Sequence, residues 1–314
     1  MSIEPFFHAL SYSLGEMIAL ERAIGDDIDQ AMVRLLKMNG LEHYRKARDI
    51  RYHIVESIKA TLEQSGFAPD RIAAVMVASE TTDPSSQALT RNDLLEILRE
   101  CGIEGCSIIG SSYSACANTA LALTQADALV RSGYFANCLV VSYYAQVEGV
   151  SRLMPPSIGF LSDGAAACLV SQDQGSGQTG FVINHAKFRS DLSLGSYENV
   201  SDYTQSFLKI SQGISGLSEE LATVSEKPMP EFGTVIMNNM CTSALKMFSL
   251  SLGVVDDAVF KDMISETSHV AACDILINLL EAQKKGVFES DPDALVFASG
   301  PTNWVFMNLT AKSS

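Results

Sequence analysis

Covalent chemistry is best served by Cys116, in the run Cys106-Ser-Ile-Ile-Gly-Ser-Ser-Tyr-Ser-Ala-Cys116-Ala-Asn-Thr-Ala120. The run reads as a short strand, then small residues, then the cysteine. Ala117 to Val130 follows with a strong helical pattern that Gly133 would stop. A cysteine on the first turn of a helix feels the partial positive charge of the helix end. That field lowers its pKa and favours the thiolate, which is the nucleophile. Small neighbours leave room for a substrate to reach the sulfur. As ordinary structure, a buried and inert cysteine is also a common residue. The other six cysteines, at 101, 106, 138, 168, 241 and 273, form no CxxC pair and no Cys/His ligand cluster. An odd total lying mostly in apolar segments reads as reduced thiols, not as a disulfide framework or a zinc site.

Holding such a cysteine takes an alternating framework of strands and helices. Residues 43–66 read as a helix, with Ile50, Ile54, Ile58 and Leu62 at helical spacing and Gly66 as the stop. Ile72 to Ala78 is a continuous apolar run of the buried-strand type. The same grammar recurs later, with a helical stretch from Tyr203 to Val224, a turn from Pro228 to Phe232 and a short strand from Thr234 to Met237. Leu14 to Ile24 reads as an amphipathic helix. Two further turns are rich in small residues. Gly159-Phe-Leu-Ser-Asp163-Gly164 runs into an apolar strand ending at Val170, and Leu295-Val-Phe-Ala-Ser-Gly300-Pro-Thr-Asn-Trp304 is a strand leading into a loop. The polar, glycine-rich stretch Ser171 to Gly180 is where two halves, 1–173 and 174–314, would meet.

With 314 residues, 47% hydrophobic and 19% charged, the chain is a globular one with a sizeable core. A net charge of −15 argues against nucleic acid as a partner, which calls for a basic stripe. No apolar run reaches the ~18 residues of a membrane span, and no basic-then-apolar leader opens the chain, so the expected location is the cytoplasm. Lys46, Arg48 and Arg51 form a local basic cluster, whose default reading is an ordinary solvated face.

Taken together, the segment around Cys116, the Asp163-Gly164 turn and the Gly300 loop resemble the ketoacyl-ACP synthase III branch of the thiolase superfamily. There the nucleophile lies in a D-x-x-A-A-C-A-G-type segment, followed by a G-D-G-A-G-A-type turn and a closing G-G-G-F-T-W-type loop. The likeness runs from about Leu41 to Trp304 and lies in the order and spacing of the motifs. It implies an α/β, thiolase-like fold of two similar halves layered αβαβα. The nucleophile would lie in 1–173, and 174–314 would complete the site. The resemblance also implies acyl-CoA or acyl-carrier protein as substrate with no bound cofactor or metal. It further implies pairing as a homodimer, or as a heterodimer with a homologue, through the sheet of the first half and the loop after residue 80. The basic cluster would suit an acidic carrier protein or a nucleotide phosphate alike.

The resemblance also implies site residues, and here the chain departs from the pattern. The family's catalytic histidine position reads Asn238, in Val235-Ile-Met-Asn238-Asn239, and its asparagine position reads Glu266, in Ser265-Glu266-Thr267-Ser268-His269. Asn238 would still donate to a thioester oxygen but cannot shuttle a proton, and an ionised Glu266 would repel an enolate. Decarboxylative condensation is therefore disfavoured, whereas acyl transfer to Cys116 needs only a thiolate and an oxyanion hole, implied at the N–H groups of Cys116 and Gly300. Three residues could replace the lost base. Glu266 would serve if burial raises its pKa, and His269 would reach the same place or pair with it. As ordinary structure, His269 would instead cap or pack on a helix beginning near Thr267. Glu80, in Val77-Ala-Ser-Glu80-Thr-Thr-Asp-Pro84, resembles the acid/base glutamate of HMG-CoA synthases, and otherwise caps a loop. The leading reading is an acyltransferase that forms an acyl-Cys116 thioester and passes the acyl group to a second substrate. A non-decarboxylative, HMG-CoA-synthase-like condensation and an inactive subunit of a heteromeric ketosynthase are the alternatives.

Overall fold

The apolar runs pair at the heart of a single mixed sheet in this computed structural model, which describes residues 4–25, 28–80, 84–173, 179–194, 203–225 and 227–313. In chain order the strands are β1 (Phe6–Leu14), β2 (Glu16–Ala19), β3 (His43–Lys46), β4 (Ala74–Ser79), β5 (Ser107–Ser111), β6 (Asn137–Tyr144), β7 (Leu153–Met154), β8 (Gly159–Phe160), β9 (Gly164–Ser171), β10 (Thr179–Ser190), β11 (Thr234–Met237), β12 (Asp293–Ser299) and β13 (Asn303–Ser313). The helices are α1 (Gln30–Met38), α2 (Ile50–Ser65), α3 (Arg91–Glu100), α4 (Asn118–Arg131), α5 (Tyr203–Ala222), α6 (Thr242–Leu252), α7 (Ile264–Thr267) and α8 (Asp274–Lys284). Nine strands run in the order β11-β12-β13-β10-β1-β9-β6-β4-β5. β4 lies parallel to β5 and β6, while β9 is antiparallel to β6 and β1. The later half repeats this mixture, with β11 parallel to β12 and β13 antiparallel to β12 and β10. The two sets of strands join where Phe7 of β1 faces Phe181 of β10, their rings 5.2 Å apart.

Three apolar layers follow from the helix faces. α2 and α3 cover one face of β4, β6 and β9 with Ile54, Ile58, Leu62, Ile97 and Leu98. α4 and α8 share an inner layer with residues of both sets of strands, among them Ala120, Leu123, Ile275, Leu279, Val140 and Val296. α5 and α6 close the far face against β11, β12 and β13. This alternation of helices and strands is the α/β layering expected. The inner layer matters for chemistry, because α4 and α8 begin side by side within it.

Two expectations change. The first part of the 43–66 helix is β3, and α2 starts at Ile50, where the Asp49 carboxylate accepts the Arg51 N–H at 2.9 Å. The 14–24 segment is β2 followed by a single turn from Leu20 to Ala23. Its helical spacing of apolar residues gives way to pairing with β3, which satisfies the strand's backbone while Leu20 and Ala23 still reach the core. The strand sets of the two halves join through the Phe7–Phe181 pair, and β2–β3 and β7–β8 form two small two-stranded sheets beside them. Residues 174–178, at the expected boundary, lie outside the described residues.

Candidate active site

The Cys116 turn is built from strand, strained turn and helix. β5 ends at Ser111, Ala115 adopts φ +46°, and the turn Ala115–Ala117 leads directly into α4. A left-handed conformation at alanine is costly and persists only where surrounding contacts hold it. Asn118 supplies two of them, since its Oδ1 accepts the Ser114 N–H at 2.9 Å and its Nδ2 donates to the Ser79 carbonyl at 3.0 Å. Cys116 is thereby brought to the N-terminal end of α4, 6% exposed, against Tyr144, Ala271 and Leu161.

The second chain segment reaching the sulfur carries His269. Its Nε2 lies 3.1 Å from Cys116 Sγ, and its Nδ1 lies 2.5 Å from Asp274 Oδ2. Both His269 and Asp274 are fully buried. α7 ends at Thr267, before the histidine, so His269 neither caps nor rides on a helix. Ser268 (φ +48°) and Ala271 (φ +49°) turn the loop sharply on either side of it. The His269 N–H donates to the Phe160 carbonyl at 3.0 Å, and its own carbonyl accepts the Ser162 N–H at 2.8 Å. The imidazole is thus held from both its backbone and its far nitrogen.

Asp274 opens α8 and is surrounded by donors. Oδ2 also accepts the Asn239 N–H at 2.7 Å, and Oδ1 accepts the Val270 N–H at 2.9 Å. Burial pushes its carboxyl above the usual range, and His269 together with these two N–H groups pulls it back. A carboxylate on Nδ1 fixes the proton there and leaves Nε2 as the acceptor facing the thiol. Cysteine, histidine and aspartate therefore form a linear relay. Sequence reading missed Asp274. Its one signal is local, since Asp274-Ile-Leu-Ile-Asn278-Leu-Leu is an apolar helix with polar residues only at its first and fifth positions.

A buried ion pair braces the strand on which the histidine loop rests. Asp163 receives both terminal nitrogens of Arg152 at 2.8 and 2.9 Å, and also the N–H groups of Gln146 at 3.0 Å and Ala47 at 2.9 Å. Gln146 in turn accepts the Tyr144 hydroxyl beside Cys116. A Cβ on Gly164 would stand 2.6 Å from Leu14 and 3.1 Å from Val270, the residue after His269, so the Asp-Gly turn needs its glycine for close approach.

The remaining expected site residues fare differently. Asn238 is at the site, but Nδ2 donates to the carbonyls of Cys116 and Ala271, each at 3.2 Å, and Oδ1 accepts the Ser299 N–H at 2.9 Å. Both amide hydrogens are occupied by backbone, so the expected donation to a thioester oxygen gives way to a structural role. Glu266 is exposed, and its backbone carbonyl accepts from Arg45 Nε at 2.9 Å; the loop presents His269 to the sulfur instead. Gly300 packs under the Cys116 turn, where a Cβ would meet the Ser114 carbonyl at 2.4 Å. Its N–H donates to the Asn303 carbonyl at 2.8 Å within the β12–β13 hairpin, so it is not directed at an oxyanion as expected. Glu80 is buried at the end of β4, 6% exposed, with its charge acting on the Cys273 thiol. Arg51 of the basic cluster is paired with Asp93 at 2.9 Å and Glu96 at 2.7 Å, while Lys46 and Arg48 are exposed. Burial pushes other thiols up, Cys101 and Cys138 to about 11 and Cys273 to about 12. Among the described residues, no group of acidic, histidine and cysteine side chains is arranged to hold a metal ion.

Comparison with known proteins agrees with this architecture. The sequence model of the 3-oxoacyl-[acyl-carrier-protein] synthase III family matches residues 112–191, the stretch from the Cys116 turn through β10. The 3-oxoacyl-[acyl-carrier-protein] synthase III of Aquifex aeolicus superposes with a TM-score of 0.77 at 18% identity, over 98% of this chain and 99% of that one. A protein described as ChlB3, an acyltransferase, gives 0.80 at 15% identity over 98% and 97%. A variant of OleA from Xanthomonas campestris gives 0.76 at 13% identity over 99% of both chains. The chain therefore shares the fold of these synthase III-like structures, while the synthase III sequence model itself matches only residues 112–191.

Proposed function

We propose that the protein is an acyl-transferring enzyme that carries its acyl group on Cys116 and uses His269, backed by Asp274, as its general base and acid. The observation that carries this reading is the contact of His269 Nε2 with Cys116 Sγ at 3.1 Å, with Asp274 on Nδ1 at 2.5 Å. Acyl-CoA or an acyl-carrier protein is the donor. His269 accepts the thiol proton as the Cys116 sulfur attacks the thioester carbonyl. The tetrahedral adduct then expels the pantetheine thiolate, which takes the proton from His269 and departs as a thiol. In the second half, an acceptor bearing an O–H or N–H group gives its proton to His269 and attacks the acyl-Cys116 carbonyl, so Cys116 leaves as the thiolate and is reprotonated. No carboxylate has to be lost at any step. An enolate-stabilising pair of the usual kind has no counterpart in Asn238 or Glu266, which favours transfer to a heteroatom over decarboxylative condensation.

The test separates loading from discharge. Incubating the protein with acetyl, malonyl and longer acyl donors, on CoA and on carrier protein, followed by peptide mapping, should place the adduct on Cys116. His269→Ala should slow both half-reactions by about 10²–10⁴-fold. Absence of any adduct with every donor would favour the inactive-subunit reading. Normal loading and discharge in His269→Ala would move the base to Glu80 and favour an HMG-CoA-synthase-like condensation.

A further inference from the structure

The side chain that follows β11 stands at the convergence of three segments, each of which carries part of the site. Asn238 holds the carbonyl of Cys116, the carbonyl of Ala271 in the histidine loop, and the N–H of Ser299 at the end of β12. Cys116 and Ala271 also pack directly against each other's surroundings in the small apolar cluster around the sulfur. The two carbonyls belong to the most strained parts of the site, the turn after Ala115 (φ +46°) and the loop at Ala271 itself (φ +49°). We propose that Asn238 is the positioning residue that sets the separation of the nucleophile from its base. It acts through the backbone of both loops and does not touch substrate.

Geometry and chemistry both require an amide there. Two carbonyl oxygens meeting at one side chain call for two hydrogens on one atom, and the Ser299 N–H calls for an acceptor a short distance away. Asparagine offers that set, with an NH₂ group and a carbonyl oxygen on one short stem. Aspartate has the same shape and keeps the acceptor for Ser299, but would turn a carboxylate oxygen towards two carbonyl oxygens. Alanine would leave two buried carbonyls and one N–H without a partner. The neighbouring Asn239 holds Asp274 through its own N–H, and Asn278 donates to both the Met237 carbonyl and Asn239 Oδ1 at 2.8 Å. β11 is therefore followed by consecutive asparagines, one aligning cysteine with histidine and the next seating the aspartate.

This inference rests on the Cys116–His269 relay, and alkylation tests it without requiring any acyl donor. Wild type, Asn238→Ala and Asn238→Asp are treated with iodoacetamide across a pH series, the Cys116 peptide is quantified, and folding is followed by circular dichroism. In wild type, Cys116 should alkylate fastest of the seven cysteines. Asn238→Ala should slow its alkylation at neutral pH by about tenfold and move the inflection of the pH profile towards that of an ordinary cysteine. Asn238→Asp should be slower still, although it preserves the Ser299 contact. A role confined to anchoring Ser299 predicts the reverse order, with Asp close to wild type. A sluggish Cys116 in wild type would sink the relay itself. A reactive wild type with an unchanged profile in a folded Asn238→Ala variant would overturn the positioning role alone. Should Asn238→Ala fail to fold, the rank of Asn238→Asp against wild type decides the question.

Discussion

Replacing Asp274 by asparagine removes one charge and almost no volume, and the structure allows its consequences to be worked through. The carboxylate serves four donors, with the Asn239 N–H and His269 Nδ1 on Oδ2, and the Val270 N–H and Asn239 Nδ2 on Oδ1. An amide has one oxygen to offer. With that oxygen in the Oδ2 position, His269 keeps its proton on Nδ1, and the new NH₂ confronts the Val270 N–H, whose present contact is 2.9 Å. With it in the Oδ1 position, the NH₂ confronts the Asn239 N–H and forces His269 to accept at Nδ1. The imidazole proton then moves to Nε2, facing the sulfur, where it blocks uptake of the thiol proton. The first orientation keeps the tautomer but loses the negative charge that stabilises the imidazolium formed in the reaction. Either way one buried backbone N–H loses its acceptor, at about 1–3 kcal/mol. Removal of a buried charge offsets that cost. The expected outcome is a folded protein with a melting temperature near that of wild type, and loading and discharge of Cys116 slowed by about 10²–10⁴-fold. Rapid-quench measurement of released thiol gives the loading rate, mass spectrometry of the acyl-enzyme gives discharge, and circular dichroism gives stability. Rates within about twofold of wild type in a folded Asp274→Asn variant would refute the claim that the carboxylate governs the histidine.

Glu266→Gln should leave both half-reactions within about twofold of wild type, because the side chain is exposed and away from the sulfur. Malonyl thioesters should release carbon dioxide slowly in the native protein, measured by trapping the gas; brisk release would contradict acyl transfer without decarboxylation. On pH, burial raises Cys101, Cys138 and Cys273 above the ordinary thiol value of 9.0, so the unfolded chain gives up these protons at lower pH than the fold does. Stability from these thiols is complete below pH 9 and falls as pH rises through 9 to about 11–12, which alkaline melting curves should show as a declining midpoint. A midpoint that is flat or rising over that interval would contradict it. Finally, β5 is an uncharged edge strand with Ile108 41% exposed and Tyr113, just beyond it, 86% exposed, whereas the opposite edge is covered where the Phe260 N–H donates to Val235. We expect a second copy to pair along β5, giving a dimer in sedimentation that Ile108→Lys dissociates; a wild-type protein sedimenting only as monomer at micromolar concentration would rule this out.

Much of the framework was legible because its signals are local. The buried runs at Ile72–Ala78 and Thr234–Met237 and the helix after Cys116 are continuous patterns read within a dozen residues, and they correspond to β4, β11 and α4. The opening forty residues were harder, since β1 mixes polar His8 and Ser11 into a buried strand. Their burial is tolerable only because Ser171, Ser57 and Thr61, far along the chain, supply partners. The β2–β3 pair hides for the same reason, as the helical spacing of apolar residues around β2 is overruled by a pairing partner that lies beyond α1.

Local sequence marked Cys116 as the nucleophile candidate, through its place at a helix start, and the family resemblance put His269 among three contenders for the base. The choice among them belonged to tertiary structure. Glu266 and His269 are three residues apart, and only the left-handed turns at Ser268 and Ala271, docked against Phe160 and Ser162, decide which of them faces the sulfur. Asp274 was not singled out in the sequence, and it is burial that makes its charge depend on specific donors. Asn238 looked like a weak substitute for a histidine until carbonyls from 122 and 33 residues away met its amide. Periodicity records which face of an element is apolar; it holds no information about which distant polar groups will be buried together. Where water is excluded, each buried polar group must find its partner in the protein, and that demand converts separated residues into one site.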